Sequence, residues 1–474
     1  MSRLGLFYRS VLLQIILVGL VSFSQPGIWN ALNGLGAGGE EEPYLVNTAN
    51  ALTYGIMIFG CTLAGGVVNK IGAKWTLVIG VIFYTPYASS LYCNNRFGNE
   101  WYVIFGAALC GIGASLFWAS EAYIAVGYPS EAQRGRLIGI WMGLRSSAPI
   151  IAGAISVSLN IGRSTAGKVS PDTYLALIGI QCIGLPLALL LSPESKVRRP
   201  DGTGVPHLRR TTVKEEIKGI WHTMRLPHVV LLIPIFVMGE WGGVSQGNYL
   251  TKYFSVRSRA LAQLLTAIIS VIADLSVGFV ADTRWLGNQR QRARFLWAFF
   301  AIFTSALWIW QTITQVRFSR DPTPVDYKGS SGRFNSAFAV YLLWKFAYEG
   351  QVVFLYWLIG TYPIAKGTLP RAVGVLRTYE SVGSCFSFIV GATHWPNLNQ
   401  SLLSLALWLV CILPTTLAIN KVPSERIEKL DETEGARETD IVPTLQRDQE
   451  KGSLQDEVRD KVHDKNLLAS DDSV

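Results

Sequence analysis

The chain has 474 residues, half of them apolar and only 16% charged, with a formal net charge of +9. Soluble domains carry about 25% charged residues, and the apolar residues here gather into runs of roughly 20, the length that crosses a bilayer. That pattern excludes a string of soluble domains. It also excludes a nucleic-acid binder, because the basic residues sit in short loops between apolar runs and no aromatic-basic recognition module appears.

In chain order, the apolar runs predict about twelve membrane helices, near residues 10–31, 47–68, 75–92, 101–123, 137–159, 174–191, 229–249, 260–281, 295–316, 338–360, 372–393 and 401–419. The first run, about Ser10 to Trp29, is too long for the core of a cleaved leader and reads as a span. The expected fold is an all-α membrane protein of twelve transmembrane helices in two pseudo-symmetric six-helix halves, 1–195 and 229–419. Between them lies a polar, basic linker, 196–228, in which Val213 to Met224 has the pattern of a short amphipathic helix on the inner membrane surface. Residues 420–474 are polar and charged and read as a disordered cytoplasmic tail. Within that tail, Asp464 to Leu468 has the form of an acidic dileucine sorting signal, a form short sequences also reach by chance. Asn399-Gln400-Ser401 matches a glycosylation acceptor, but it lies so close to the last span that it is expected to stay unused.

Basic residues set the expected orientation. Lys70, Lys74, Arg134, Arg136, Arg284, Arg290, Arg292, Arg294, Lys366 and Arg371 fall in loops on one side, together with the basic linker. The first loop on the other side is acidic, with Glu40, Glu41 and Glu42. This bias places both termini in the cytoplasm, in a plasma membrane or a vacuolar or endosomal membrane.

Of six cysteines, five fall inside apolar runs and Cys93 is expected in a loop. This is neither a disulfide framework nor a metal spacing. No phosphate-cradling glycine loop occurs, so ATP is not an expected energy source. No cofactor, metal or catalytic residue is expected. With five histidines, four of them outside or at the edge of spans, an intramembrane enzyme is a poor reading.

Two local signals recur in both halves. Gly65-Gly66-Val67-Val68-Asn69-Lys70-Ile71-Gly72-Ala73-Lys74 follows the second predicted span, and Gly278-Phe279-Val280-Ala281-Asp282-Thr283-Arg284 follows the eighth. Tyr128-Pro129 leads to Arg136-Leu137-Ile138-Gly139, and Tyr362-Pro363 leads to Arg371-Ala372-Val373-Gly374. Parallel repeats of this kind are a recurring transporter architecture. The glycine–acid–base loop resembles the signature of the major facilitator superfamily. More narrowly, the chain resembles the fungal branch of the uncoordinated-93-like proteins over most of residues 8–419. That resemblance is carried by Trp118-Ala119-Ser120-Glu121, Gly127-Tyr128-Pro129, Arg134-Gly135-Arg136 with Gly139-Ile140-Trp141, Ser255 to Ala262, and Tyr356-Trp357-Leu358-Ile359-Gly360. It implies a conformational latch that sets Asp282 near Arg136 and position 69, followed by Lys70, against Arg371. Asn69 departs from the usual Asp, so the second latch is expected to be the weaker one.

Charges inside spans cost about 2.5–3.5 kcal/mol each on insertion scales and should face the bundle interior or a water-filled cavity. The residues concerned are Glu121, Arg145, Glu240, Asp274, Lys345, Glu349, Arg377 and Glu380. Lys345 and Glu349 are spaced to share a helix face, as are Arg377 and Glu380. Two readings stand side by side. Pairs such as Lys345–Glu349 and Glu121–Arg145 either staple neighbouring helices or form a substrate or proton site. Glu240, with no cation near it in sequence, is the leading proton-coupling candidate. Trp118, Trp141, Trp241, Trp344 and Trp357 either stack on a flat substrate or pack at lipid-facing and interfacial positions. Gly111, Gly113, Gly239, Gly242 and Gly243 are expected at close helix contacts.

The resulting functional reading is a secondary transporter that moves a small organic solute, of identity unknown, by alternating access. Proton coupling is expected, and the solute could equally be an exported fungal metabolite or an imported nutrient. The resemblance leaves a second reading open, because the family includes non-transporting members that act as channel subunits or trafficking escorts.

Overall fold

The computed structural model describes residues 3–34, 43–160, 171–205, 213–327, 331–362, 369–392 and 395–424. Among them every regular element is helical. Met1–Val422 forms one compact unit, and Pro423–Val474 is a unit of its own. The expectations for the tail, for Lys366 and for the acidic loop fall outside the described residues.

After a short α1 (Arg3–Tyr8), the first span is α2 (Val11–Ser22), a π-helical turn (Phe23–Gly27) and α3 (Ile28–Gly34). Pro26 lies inside the π turn. It has no N–H to give the ladder, so the helix widens there. Next come α4 (Pro43–Ile71), α5 (Ala73–Ile82) with α6 (Thr85–Phe97), α7 (Glu100–Gly127), α8 (Arg134–Asn160) and α9 (Pro171–Leu189). The α5–α6 break falls just before Pro86, again a missing donor. Cys93 therefore sits in α6 and not in a loop, and all six cysteines are free. The linker carries α10, Val213–Met224, followed by α11 (Pro227–Tyr253), α12 (Val256–Ala281), α13 (Gln289–Arg320), α14 (Ser331–Ile359), α15 (Leu369–Ala392) and α16 (Asn397–Ile419).

Ten spans among the described residues are long and apolar enough to cross a membrane. The expected count was twelve, and the two helices that fall short are α14 and α15. They match the others in length but carry Lys345 and Glu349, and Arg371, Arg377 and Glu380. Those charges lower the apolarity of both helices, and they pair with charges on their own or neighbouring helices or face the central cavity.

Helix pairing repeats along the chain. α4–α7 has its counterpart in α12–α14, α2–α8 in α11–α15, α2–α9 in α11–α16 and α6–α9 in α13–α16. The two sets join through α4–α15 and α8–α12, and the repeated glycines make these crossings possible. A Cβ on Gly139 would lie 2.6 Å from the Asp274 carbonyl oxygen, and one on Gly374 would lie 2.5 Å from the Cys61 carbonyl oxygen. Any larger side chain would push the helices apart. Gly111 and Gly113 also sit at tight crossings, against Thr53 and Gly80, and Gly242 lies under the Trp344 ring. Gly243 meets nothing within 4 Å and lines a cavity instead.

Residues Arg9 and Val11, the linker and Val422 after α16 meet on one face of the unit, here called the linker face. Arg198 pairs its backbone with Arg9 and Val11, Arg199 Nε donates to the Tyr128 carbonyl oxygen at 3.0 Å, and Arg290 Nε donates to that of Val422 at 2.6 Å. The linker is thus docked along the bundle over residues 192–205. α10 buries Glu216, Ile220 and Thr223 against the bundle and exposes Ile217 and Trp221 beside Lys214 and Lys218, a pattern suited to a membrane interface.

Candidate functional site: a charged aromatic cavity and its closed end

A cavity of about 1100 Å³ lies between the helices on either side of the linker. Its lining runs from Arg377 and Glu349 out to Gln263 and Leu264 at the start of α12, on the side away from the linker face. Two charge clusters form its inner wall. Arg145 of α8 reaches Glu349 of α14 at 2.9 Å, and Lys345 holds the other oxygen of the same carboxylate at 2.6 Å. Arg377 of α15 reaches Glu240 of α11 at 3.1 Å and Glu380 at 2.9 Å. The Tyr348 hydroxyl donates to the second Glu240 oxygen at 2.6 Å. Between the clusters stands the Trp118 ring, with the Arg377 guanidinium 3.9 Å and the Arg145 guanidinium 5.4 Å from its centroid. Each buried charge thus has an opposite charge or a ring quadrupole in contact, which offsets its desolvation.

Three expectations are corrected here. Glu121 does not pair with Arg145. It accepts hydrogen bonds from Ser22 and, at 3.0 Å, from Trp141 Nε1, because α7 turns it toward α2 and α8 while Arg145 faces α14. Glu240 is not isolated, since Arg377 approaches from α15 across the bundle. Trp141, Trp241 and Trp357 are buried between helices and do not line the cavity, and none of the five tryptophans is lipid-facing. Trp118 and Trp344 do line it. Glu121, Asp274 and Glu380 are fully buried behind the wall, with Asp274 accepting from Ser146 Oγ at 2.7 Å.

The sequence reading missed Trp29, Tyr54, Tyr341 and Tyr348 as lining residues. A signal existed for part of this set. Tyr341, Trp344 and Tyr348 recur at helical spacing and touch in series, with centroids 6.3 and 5.1 Å apart.

The end of the bundle at the linker face is closed. Asp282, at the end of α12, accepts from the backbone N–H groups of Gly135 at 2.8 Å and Arg136 at 2.7 Å. It therefore caps the first turn of α8 from another helix. The expected partner was the Arg136 guanidinium, but that group lies 5.0 Å over the Phe279 ring instead. Burial pushes the Asp282 carboxyl up to about 6, against the pull of those two N–H groups and of Arg292 and Arg136. At the equivalent place, Asn69 does not meet Arg371 directly. Glu216 of α10 stands between them, bound to Arg371 at 2.8 and 3.0 Å and to Asn69 Nδ2 at 3.2 Å. Lys70 is exposed beside this cluster.

A cavity between two joined helix sets, closed at one end, is the architecture of the major facilitator transporters. One solved relative in fold is the proton:xylose symporter XylE bound to 6-bromo-6-deoxy-D-glucose. It matches with a TM-score of 0.64 at 12% identity, over 91% of this chain and 100% of that one. A family model described as "Ion channel regulatory protein UNC-93" matches residues 42–281. "Notoamide biosynthesis cluster protein O'" of Aspergillus versicolor is 31% identical over 419 residues, 88% of this chain and 90% of that protein. "UNC93-like protein C922.05c" of Schizosaccharomyces pombe is 28% identical over 411 residues, 84% and 80% of the two. The chain is a multi-pass membrane protein with a major-facilitator-like fold. It belongs to the UNC-93 family.

Proposed function

We propose that this protein is a secondary transporter that moves a small organic solute by alternating access through the central cavity. The reading takes the ten apolar spans together with α14 and α15 as twelve, arranged as two six-helix halves, 1–195 and 229–419. The observation that carries it is the cavity itself, which is large enough for a drug-sized ligand, walled by aromatic rings and lined by the ion pairs of Arg145, Glu240, Lys345, Glu349 and Arg377. Similarity to a protein named for a biosynthesis cluster supports export of a fungal secondary metabolite as its task. The proton is the proposed coupling ion. Glu240 borders the cavity, and Glu121 is bonded to two neutral donors, so these are the carboxylates to test. The proposal has both termini in the cytoplasm, from the bias of basic loops, in a plasma or vacuolar or endosomal membrane.

The family description favours a second reading, a non-transporting regulator of another membrane protein. Flux decides between them. Proteoliposomes incubated with a fungal metabolite extract under an imposed pH gradient, then washed and read by mass spectrometry, should gain at least one solute over protein-free liposomes. Glu240→Gln should abolish the pH-driven gain while leaving exchange. No enrichment of any solute would favour the regulator.

A further inference from the structure

The two closing contacts at the linker face are built differently, and the difference traces to two residues. Around Asp282, a carboxylate meets the N–H groups of Gly135 and Arg136. At the repeated position the carboxylate is missing, because residue 69 is Asn, and so is one donor, because the counterpart of Gly135 is Pro370. Proline has no N–H. The cradle that serves Asp282 is therefore absent on both sides.

Glu216 occupies that place. Its carboxylate takes both Nε and Nη2 of Arg371 in a two-pronged contact at 3.0 and 2.8 Å, and accepts from Asn69 Nδ2 at 3.2 Å. The side chain is nearly buried, with 9% exposed, and Arg371 with 12%. The neighbouring glycines leave room for it. A Cβ on Gly66 would already lie 3.4 Å from a Glu216 oxygen, and one on Gly219 would lie 2.5 Å from the Arg371 guanidinium carbon. One charged side chain of the linker thus bridges α4 before the linker to α15 after it.

We infer that Glu216 is a positioning residue of the transport cycle, a carboxylate supplied by the linker helix to close the linker-face end of the cavity where Asn69 and Pro370 cannot. The inference rests on the alternating-access reading for its meaning but not for its test. α10 docks when this end is closed and must release Arg371 when it opens. A linker helix in that position ties the conformation of the bundle to whatever holds or pulls α10.

The test reads conformation, not flux. Spin labels at Ile71 and Trp285, both exposed, report the separation across the linker face of the full chain in lipid nanodiscs. Glu216→Gln should lower the closed-to-open ratio by about 10-fold, since one partner of a largely buried pair is left alone, and should speed trypsin cleavage within the linker. Asn69→Asp alone should also open this end, because it sets a second carboxylate beside Glu216. Asn69→Asp in the Glu216→Gln background should close it again by returning a single carboxylate to the site. That reversal of sign is not expected of a residue that merely supports folding. Glu216→Asp, which keeps the charge, guards against a variant that fails to fold. Unchanged distances and cleavage in Glu216→Gln, or an Asn69→Asp effect of the same sign in both backgrounds, would overturn the inference. Distances that shift as stated in a protein that moves no solute would leave the latch standing and refute the transporter reading.

Discussion

Arg377 holds two carboxylates with one guanidinium nitrogen, 3.1 Å from Glu240 and 2.9 Å from Glu380, and lies over the Trp118 ring. Its removal leaves the buried Glu380 carboxylate and the partly buried Glu240 carboxylate facing each other without a cation. Breaking a buried pair from one side costs about 3–5 kcal/mol, so Arg377→Met should sharply lower the thermal unfolding midpoint of the detergent-solubilised protein. Glu121 offers the contrast. Its bonds come from Ser22 and Trp141, and glutamine presents an acceptor of the same shape to both. Glu121→Gln is expected to stay within about 1 kcal/mol of the parent, while Glu121→Ala, which also leaves the buried Trp141 N–H without a partner, should cost about 2–4 kcal/mol. Similar losses for Glu121→Gln and Arg377→Met would show that Glu121 is held by charge. That charges lie within the spans was legible from the residues alone. Their partners were not, because Arg145 and Glu349, or Arg377 and Glu240, are far apart in sequence and meet only once helix rotations are set.

At the scale of elements, the end of α12 caps the start of α8. Asp282→Ala removes an acceptor shared by two first-turn N–H groups, a loss of about 0.5–2 kcal/mol by the measure of helix caps, expected as a larger open population across the linker face. The same contact carries a pH dependence. Burial raises the docked carboxyl to about 6, above the ordinary value of about 3.9. The docked form binds the proton more tightly, so its stabilising contribution is complete below about pH 4 and is lost as pH rises through about 6. Spin-label distances should therefore show more of the closed state at pH 5 than at pH 7.5, and Asp282→Ala should flatten that trend. A closed population that grows with pH instead would mean that the carboxylate charge itself is the stabilising feature. α10 was legible as an amphipathic helix over Val213–Met224. Which of Glu215 and Glu216 turns inward was not, because that depends on the angle at which the helix docks on α4 and α15.

For the whole molecule, Arg9 and Val11, the linker and Val422 share one face, so a single measurement orients the protein. Ser195 is exposed on the linker face and Asn99 is exposed between α6 and α7. With the basic loops inside, an impermeant maleimide added to intact cells should label Asn99→Cys and spare Ser195→Cys until the cells are opened. The reverse pattern would invert the proposed topology, and labelling of both would dismiss it. The same result identifies the side to which the cavity opens in this conformation, because the cavity extends away from the linker face.

The residues by themselves determined that this is a helical membrane protein and roughly where its helices run, because length and apolarity are properties of a local stretch of chain. They also revealed the repeat, because turn glycines and the basic residues after them recur in fixed order. Only the tertiary structure decided which partners receive the charges of α14 and α15, since those partners lie on helices distant in sequence. It decided that Gly139 and Gly374 mark the crossings between the two sets of helices. It also decided that the carboxylate missing at Asn69 is supplied by Glu216. A contact between a linker helix and two others depends on how three axes lie together, and no single stretch of chain encodes that angle.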